Sequence, residues 1–245
     1  MQLSEIYNAT KILSVLPSCA EAICIKETES TNNIAKELAM QGASHCTVIL
    51  ADRQSAGRGR RGKSFFSPDG GIYLSLILRE RENVPYTVCA ASAVCRAIRS
   101  FDVNAKIKWV NDVYIEGKKV CGILCERVCD TQHGNAIIVG IGINHSVAEF
   151  PEDIKYVATS LPAHVPSRET VAITVINALL SELEDVSASK AYYAENMMLY
   201  GKKVRYQLNG EEHIGTVVGL GENEELLIKT NTETVALSSG IVTAV

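Results

Sequence analysis

Apolar residues recur along this chain in two rhythms. The runs "AICIKE", "CTVILAD", "GIYLSLIL" and "GNAIIVGIGINH" alternate or are continuously apolar and β-branched, which predicts strands buried in a sheet. Between them, "STNNIAKELAMQ" and "YTVCAASAVCRAIRSF" carry apolar residues at helical spacing, so each predicts a helix resting on that sheet. Ser30 or Thr31 stands where a side-chain oxygen can cap the first amides of the earlier helix. "AKIKWVNDVYIEGKKVCGILCERV" predicts a hairpin turning near Glu116-Gly117. Residues 168–200 predict helix, broken in two near 186–189 by polar residues. From Gly201 onward the rhythm is short strands separated by "NG", "GEN" and "NTE" turns, the pattern of a small β-barrel. The predicted class is therefore α+β, with a body over 1–199 and a small β-domain over 200–245.

Composition narrows the function classes. The chain has 245 residues, 47% hydrophobic and 21% charged, with a net charge of −4, so one or two globular domains with a sizeable core are expected. A protein built to coat nucleic acid carries a basic balance over a whole domain, and this one does not. Eight cysteines at 19, 24, 46, 89, 95, 121, 125 and 129 sit mostly in apolar runs without a C-x-x-C pair. They read as buried reduced thiols rather than a disulfide framework or zinc site. The N-terminal stretch carries Glu5 among short apolar pieces and makes a poor signal peptide, and no run reaches the roughly 20 apolar residues that span a bilayer. A cytoplasmic protein without a membrane partner is expected.

The charge that matters is local. "QSAGRGRRGKSFFSPDGG" sets Arg58, Arg60, Arg61 and Lys63 among Gly57, Gly59 and Gly62, with no acidic residue before Asp69. The glycines spell G-x-G-x-x-G after a strand, but Pro68, Gly70 and Gly71 forbid the helix that a dinucleotide fold opens at the third glycine. A charge run is usually a solvated face. Glycine beside each arginine nevertheless costs chain entropy and is favoured where backbone wraps closely around a ligand. Guanidinium forks match phosphate and carboxylate, so the loop suits a small anionic ligand. Phe65 and Phe66 read equally as stacking platforms, a hydrophobic lid or core.

Three further clusters carry chemistry. "KWVND" groups Lys108, Asn111 and Asp112 about the single tryptophan; as structure it is a core residue and a turn, and as chemistry Asn and Asp are hard oxygen ligands suited to a partly hydrated Mg²⁺ on phosphates. Of Lys118 and Lys119 in "GKKVCGIL", a strand points one outward and one inward, where an inward lysine would oppose developing negative charge. "GIGIN" combines glycines that mark close approach with Asn144, either a turn residue or a reader of an adenine edge. The five histidines show no metal-like spacing and are given no role.

Taken in order, "STN", "DRQSAGRGRRG", "FFSPDGGIYLSL", "KWVNDV", "KKVCGIL", "GIGIN" and "ATSL" resemble the biotin protein ligases, from about Ile23 to Leu161, and the small terminal β-domain resembles that family's SH3-like domain. The resemblance implies the class II synthetase-like biotin ligase catalytic fold, a mixed sheet with helices packed on one side. It implies activation of biotin by Mg·ATP to biotinyl-5′-AMP, then transfer to a lysine of a biotin carboxyl carrier domain in a carboxylase. It places Ser30, Thr31, Asn32 and Gln54 in the biotin pocket, Arg58, Gly59 and Arg60 on a loop that orders over biotin and the adenylate, and Lys119 against biotin and the reacting phosphate. Lys108, Asn111 and Asp112 would face the ATP phosphates, with Asp112 toward Mg²⁺, and Asn144 would face adenine.

Three departures stand out. Val110 replaces the family's usual proline and relaxes the turn, while Lys63 and Phe65 stand where the loop often continues with Arg and Trp. The 29 residues before Ser30 are too few for the helix-turn-helix domain that some members carry, so no repressor function is expected. Homodimers joined at sheet edges are common in the family, and no sequence feature decides that here. The competing readings are a lipoate or octanoate ligase of the same fold, and a biotin or nucleotide sensor without turnover.

Overall fold

The computed structural model describes residues 2–18, 20–208, 210–221, 224–238, 240 and 242–245. In chain order the elements are α1 (Ala9–Leu13), β1 (Ala22–Thr28), α2 (Thr31–Met40), β2 (Thr47–Gln54), β3 (Gly71–Arg79), α3 (Tyr86–Arg99), β4 (Ala105–Lys108), β5 (Asp112–Ile115), β6 (Lys118–Val128), β7 (Ala136–Asn144), α4 (Arg168–Glu184) and α5 (Val186–Asn196). The short strands β8 (Lys203–Leu208), β9 (Glu211–Leu220), β10 (Leu226–Lys229), β11 (Thr234–Leu237) and β12 (Val242–Ala244) follow. Strands β1 to β7 form one mixed sheet in the order β1-β2-β3-β7-β6-β5-β4, parallel only between β1 and β2. That single parallel pair needs a crossover, and α2 supplies it.

Register decides what each face carries. Val48, Leu50, Leu74, Leu76, Leu78, Val139 and Ile141 look toward α3 and α4 and are completely or almost completely buried there. On the opposite face, Ile49, Ile77 and Ile138 pack beneath Ala35 and Ala39 of α2, forming a separate apolar cluster. The helices therefore cover both faces of the sheet, against the expectation of one side, because the α2 crossover has its own apolar stripe to bury. Small alanines along α3, completely buried at 90, 91 and 93, let that helix lie close to the strands.

The five remaining strands make a second, antiparallel sheet in the order β11-β10-β9-β8-β12, which fits the small terminal β-domain. Val204, Tyr206, Val217, Leu226 and Ile228 from this sheet belong to the same continuous core as α3. Trp109 joins the two parts, its indole Nε1 donating to the Glu224 carbonyl at 3.0 Å. Parts of the expected turns, Asn209, Glu222 and Asn223, lie outside the described residues, as do Cys19, Ser239 and Ile241.

Local expectations are refined in four places. The predicted hairpin is three strands, β4, β5 and β6; its second turn falls at Glu116 and Gly117, both with positive φ, 50° and 78°. The helical break falls at Asp185, whose carboxylate accepts from Ala188 N at 2.9 Å and so starts α5. Ser30 is the N-cap residue of α2 but makes no side-chain cap bond. Both outer strands of the large sheet are touched by the chain itself, β1 by Leu3 and β4 by Met197. Among the described residues no helix is long and apolar enough to cross a membrane, and the described cysteines are free thiols, five of them buried.

Leu76 is fully buried between the sheet and α3. Leu76→Ala should cost about 2–5 kcal/mol, read as a lower urea midpoint with an unchanged slope. A loss below about 1 kcal/mol would show that this part of the core closes over the cavity.

Candidate active site

The site occupies the part of the sheet that α2 leaves bare. On the α2 face, β7 carries Ile138, then Gly140, then Gly142, and β6 pairs Leu124 with Gly140 and Gly122 with Gly142. Three glycine positions side by side leave a hollow where the rest of the face is filled with isoleucine. A Cβ at Gly140 would meet Asn32 Oδ1 at 2.2 Å, and one at Gly142 would meet the Phe65 ring at 2.5 Å. The close approach read from these glycines is thus made by the protein's own side chains. The resulting cavity, about 390 Å³, lies at the N-terminus of α2 and is roofed by the arginine-glycine loop.

That loop is a folded arch. Phe65 N donates to Gly57 O at 2.8 Å and Gly59 N to Lys63 O at 2.7 Å, with a 3-10 turn at Arg60–Gly62 in which Arg61 and Gly62 take φ of 56° and 72°. Phe65 points inward between Gly122 and Gly142. Phe66 instead lies outside, its ring 6.4 Å from that of Phe150. Arg58 spans two elements, Nη1 donating to Asn33 Oδ1 of α2 at 2.7 Å and Nη2 to Glu126 Oε1 of β6 at 3.0 Å.

The floor of one end is neutral and polar. Gln54 Oε1 accepts from Thr31 N at 2.8 Å, so the first amide of α2 is capped by a glutamine from β2 in place of Ser30. The Thr31 hydroxyl reaches the same oxygen at 3.1 Å, and Gln54 Nε2 donates to Ser67 Oγ at 3.0 Å. Ser75 Oγ sits 2.7 Å from Thr31 Oγ1 and 2.6 Å from Asn32 Oδ1; its single proton serves one of them at a time. Asn32 Nδ2 donates to Glu126 Oε2 at 2.8 Å.

Cations dominate the rest of the lining. Arg58, Arg60, Arg61, Lys63, Lys108 and Lys119 line the cavity, and Asp112 is the sole carboxylate among its lining residues. Lys119 Nζ pairs with Asp112 Oδ1 at 2.7 Å and lies 5.8 Å from the Phe65 ring centroid. A bulge aims it. The β5/β6 register skips Val120, which puts Lys119 on the face of Gly122 while Lys118 stays exposed. Asn111 Nδ2 donates to Ile123 O at 2.7 Å and its Oδ1 faces Arg60 Nη1 at 3.3 Å. Val110 occupies a cis peptide with Trp109, and Tyr193 Oη donates to its carbonyl at 3.1 Å. Lys108 lies over the Tyr114 ring, 4.9 Å from its centroid.

The structure brings together Ser30, Thr31, Asn32, Gln54, Arg58, Gly59, Arg60, Lys108, Asn111, Asp112 and Lys119 around one cavity. Asn144 stands apart: it is buried at the end of β7 with Nδ2 donating to Thr159 O at 3.2 Å, and it does not line the cavity. Sequence reasoning missed Ser75 and Glu126. The signal was present, since Ser75 is the one polar residue of "GIYLSLIL" and Glu126 follows the largely apolar run "VCGILC" within its strand. As for a metal, no cluster of three acidic, histidine or cysteine side chains occurs among the described residues. A lone carboxylate fits Mg²⁺ that keeps waters and arrives on nucleotide phosphates.

The biotin/lipoate A/B protein ligase family matches residues 24–144, a span that runs through all seven strands of the large sheet and contains every predicted site residue. The chain is 30% identical to the biotin protein ligase of Aquifex aeolicus solved with biotin and ATP, covering 98% of that chain with a TM-score of 0.78 over 93% of this one. The chain belongs to the biotin protein ligase family. It is also similar to the bifunctional ligase/repressor BirA of Bacillus subtilis, 31% identical over 82% of this chain and 67% of that protein. To the biotin–(acetyl-CoA-carboxylase) ligase of Mycobacterium tuberculosis it is 27% identical over 89% and 86%. The chain spans about two thirds or less of the length of the first curated relatives it matches.

In this biotin ligase fold, a side chain at Gly140 would collide with the Asn32 amide. Gly140→Ala should displace Asn32 from Ser75 and Glu126 and destabilise the protein by about 1–3 kcal/mol in urea unfolding, the cost of unpaired buried polar groups. An unchanged midpoint would mean that Asn32 relocates without loss.

Proposed function

We propose that the protein is an ATP-dependent biotin protein ligase that forms biotinyl-5′-AMP and passes biotin to a lysine of a carrier domain. The observation that carries this reading is the polarity of the cavity. Fixed neutral donors and acceptors, Thr31, Asn32 and Gln54, and six cations of the loop and the neighbouring strands line one cavity. The Aquifex relative binds biotin and ATP within the same fold.

A ureido ring carries both donors and acceptors and can answer the polar floor. The saturated chain of octanoate, or the dithiolane of lipoate, has no hydrogen-bonding group to offer that floor, and a site built for hydrogen bonds discriminates against such analogues. That favours biotin over the other acids of the family.

Activation joins two anions. A biotin carboxylate oxygen bonds to the α-phosphorus of ATP, the bond from that phosphorus to the bridging oxygen breaks, and pyrophosphate leaves with its electron pair. Arg60, Arg61, Lys108 and Lys119 offset the repulsion between carboxylate and triphosphate and stabilise the charge that develops at phosphorus. Asp112 holds Lys119 in place before ligand arrives and is the residue suited to the Mg²⁺ carried by ATP, which screens the phosphate charge. The mixed anhydride is prone to hydrolysis, so the loop of Arg58 and Gly59 preserves it by excluding water. The acceptor amine then bonds to the acyl carbon, and AMP departs. Asn144 supports the 159–161 segment, its backbone carbonyl accepting from Leu161 N at 2.9 Å and its amide donating to Thr159 O at 3.2 Å.

Purified protein with Mg·ATP and biotin, but no acceptor, should release about one equivalent of pyrophosphate in a burst, with neither lipoate nor octanoate supporting it. A lipoate-only burst would keep the fold and change the substrate; binding without pyrophosphate would favour a sensor. Lys119→Ala should lower the burst rate by about 100-fold or more while leaving the urea midpoint within about 1 kcal/mol of the parent. Full activity would remove Lys119 from the reaction.

A further inference from the structure

The loop over the cavity has two arms, and both are tied to the same line of hydrogen bonds. On the incoming arm, Arg58 donates to Glu126 Oε1 at 3.0 Å. Glu126 Oε2 accepts from Asn32, whose Oδ1 meets Ser75, which meets Thr31, which meets Gln54. Gln54 then donates to Ser67 Oγ at 3.0 Å, and Ser67 donates to Phe65 O at 2.8 Å on the returning arm. The line runs beneath the pocket floor and closes on the loop that covers it. Between the two arms its one charged member is Glu126.

We propose that Glu126 is the positioning residue of this circuit, latching Arg58 from below and orienting Asn32, so that the loop stays shut over the reaction intermediate. Its place suits the task. The Glu126 side chain is 19% exposed and receives three partners, Lys36 and Arg58 on Oε1 and Asn32 on Oε2. Burial alone would raise its carboxyl, but the bonds from Lys36 and Asn32, with the charges of Lys36 and Arg58, hold it below the ordinary glutamate value. It is therefore a carboxylate at neutral pH, and charge-assisted bonds of this kind are the strong ones. The groups the ligand touches at Thr31, Asn32 and Gln54 are the middle of the line, so filling the pocket and fastening the loop involve the same hydroxyls and amides. No other acidic side chain contacts Arg58 among the described residues.

The role in retaining an intermediate rests on the ligase reading, whereas the latch itself is testable without it. Arg58, Arg60, Arg61 and Lys63 make the loop a trypsin target whose cleavage reports opening. In the ligand-free protein, Glu126→Gln, which keeps size and removes charge, should raise the initial rate of cleavage within residues 58–63 about tenfold, with cleavage elsewhere and the urea midpoint little changed. Lys36→Gln takes away the partner that does not touch the loop and should leave that rate within about twofold of the parent. In the ligase assay without acceptor, Glu126→Gln should raise the ratio of the slow pyrophosphate release to the burst rate about tenfold, as adenylate escapes. Loop cleavage at the parental rate in Glu126→Gln, or an equal rise in both variants, overturns the latch. A parent without any biotin-dependent burst overturns the ligase reading and leaves the proteolysis to judge the latch.

Discussion

Everything at this site depends on an absence of side chains at three adjacent positions. Gly122, Gly140 and Gly142 lie side by side on β6 and β7, on a face that elsewhere packs isoleucine against α2. Without that hollow, Asn32 could not reach Glu126 and Phe65 could not enter from the loop. Glycine weakens a strand, and here the loss is confined to central strands that pair along both edges with β3 and β5. The surrounding core of Val139, Ile141, Leu74 and Leu76 packs the reverse face of the same strands.

The second constraint is charge. Six cations around one carboxylate would repel one another in an empty cavity, and the protein answers by parking two of them. Lys119 rests on Asp112 and Arg58 on Glu126, each at or under 3.0 Å. Such pairs are partly exposed, so they hold geometry more than they add stability. A polyanionic ligand can draw Lys119 from Asp112 at modest cost, while the Arg58–Glu126 pair ties the loop to the strand beneath it.

Physical reasons separate what was readable in advance from what was not. The alternating and β-branched runs located the strands because their burial leaves a local imprint on composition, and the Glu116-Gly117 turn was readable because glycine readily takes the positive φ found at Gly117. The cap of α2 was misread. Ser30 has the right chemistry and position, yet Gln54, far along the chain, lies closer to the amide once β1 and β2 pair. Asn144 stands apart from the cavity for a related reason: its neighbours in sequence line the site, but its own amide is taken by Thr159 from a segment that folds across the strand end.

The sequence by itself determined the element order, the two-part organisation of strands, the cationic loop and most of the residues around the cavity, since each leaves a short-range pattern of polarity or glycine. Only the tertiary structure decided that Lys119 faces inward, that Phe65 fills the hollow while Phe66 stays outside, and that Ser75 and Glu126 complete the floor. Those outcomes rest on a bulge at Val120 and on hydrogen bonds between residues 43 and 94 positions apart. A hydrogen bond needs its partner within about 3 Å, and no local pattern encodes which distant residue the register will bring there.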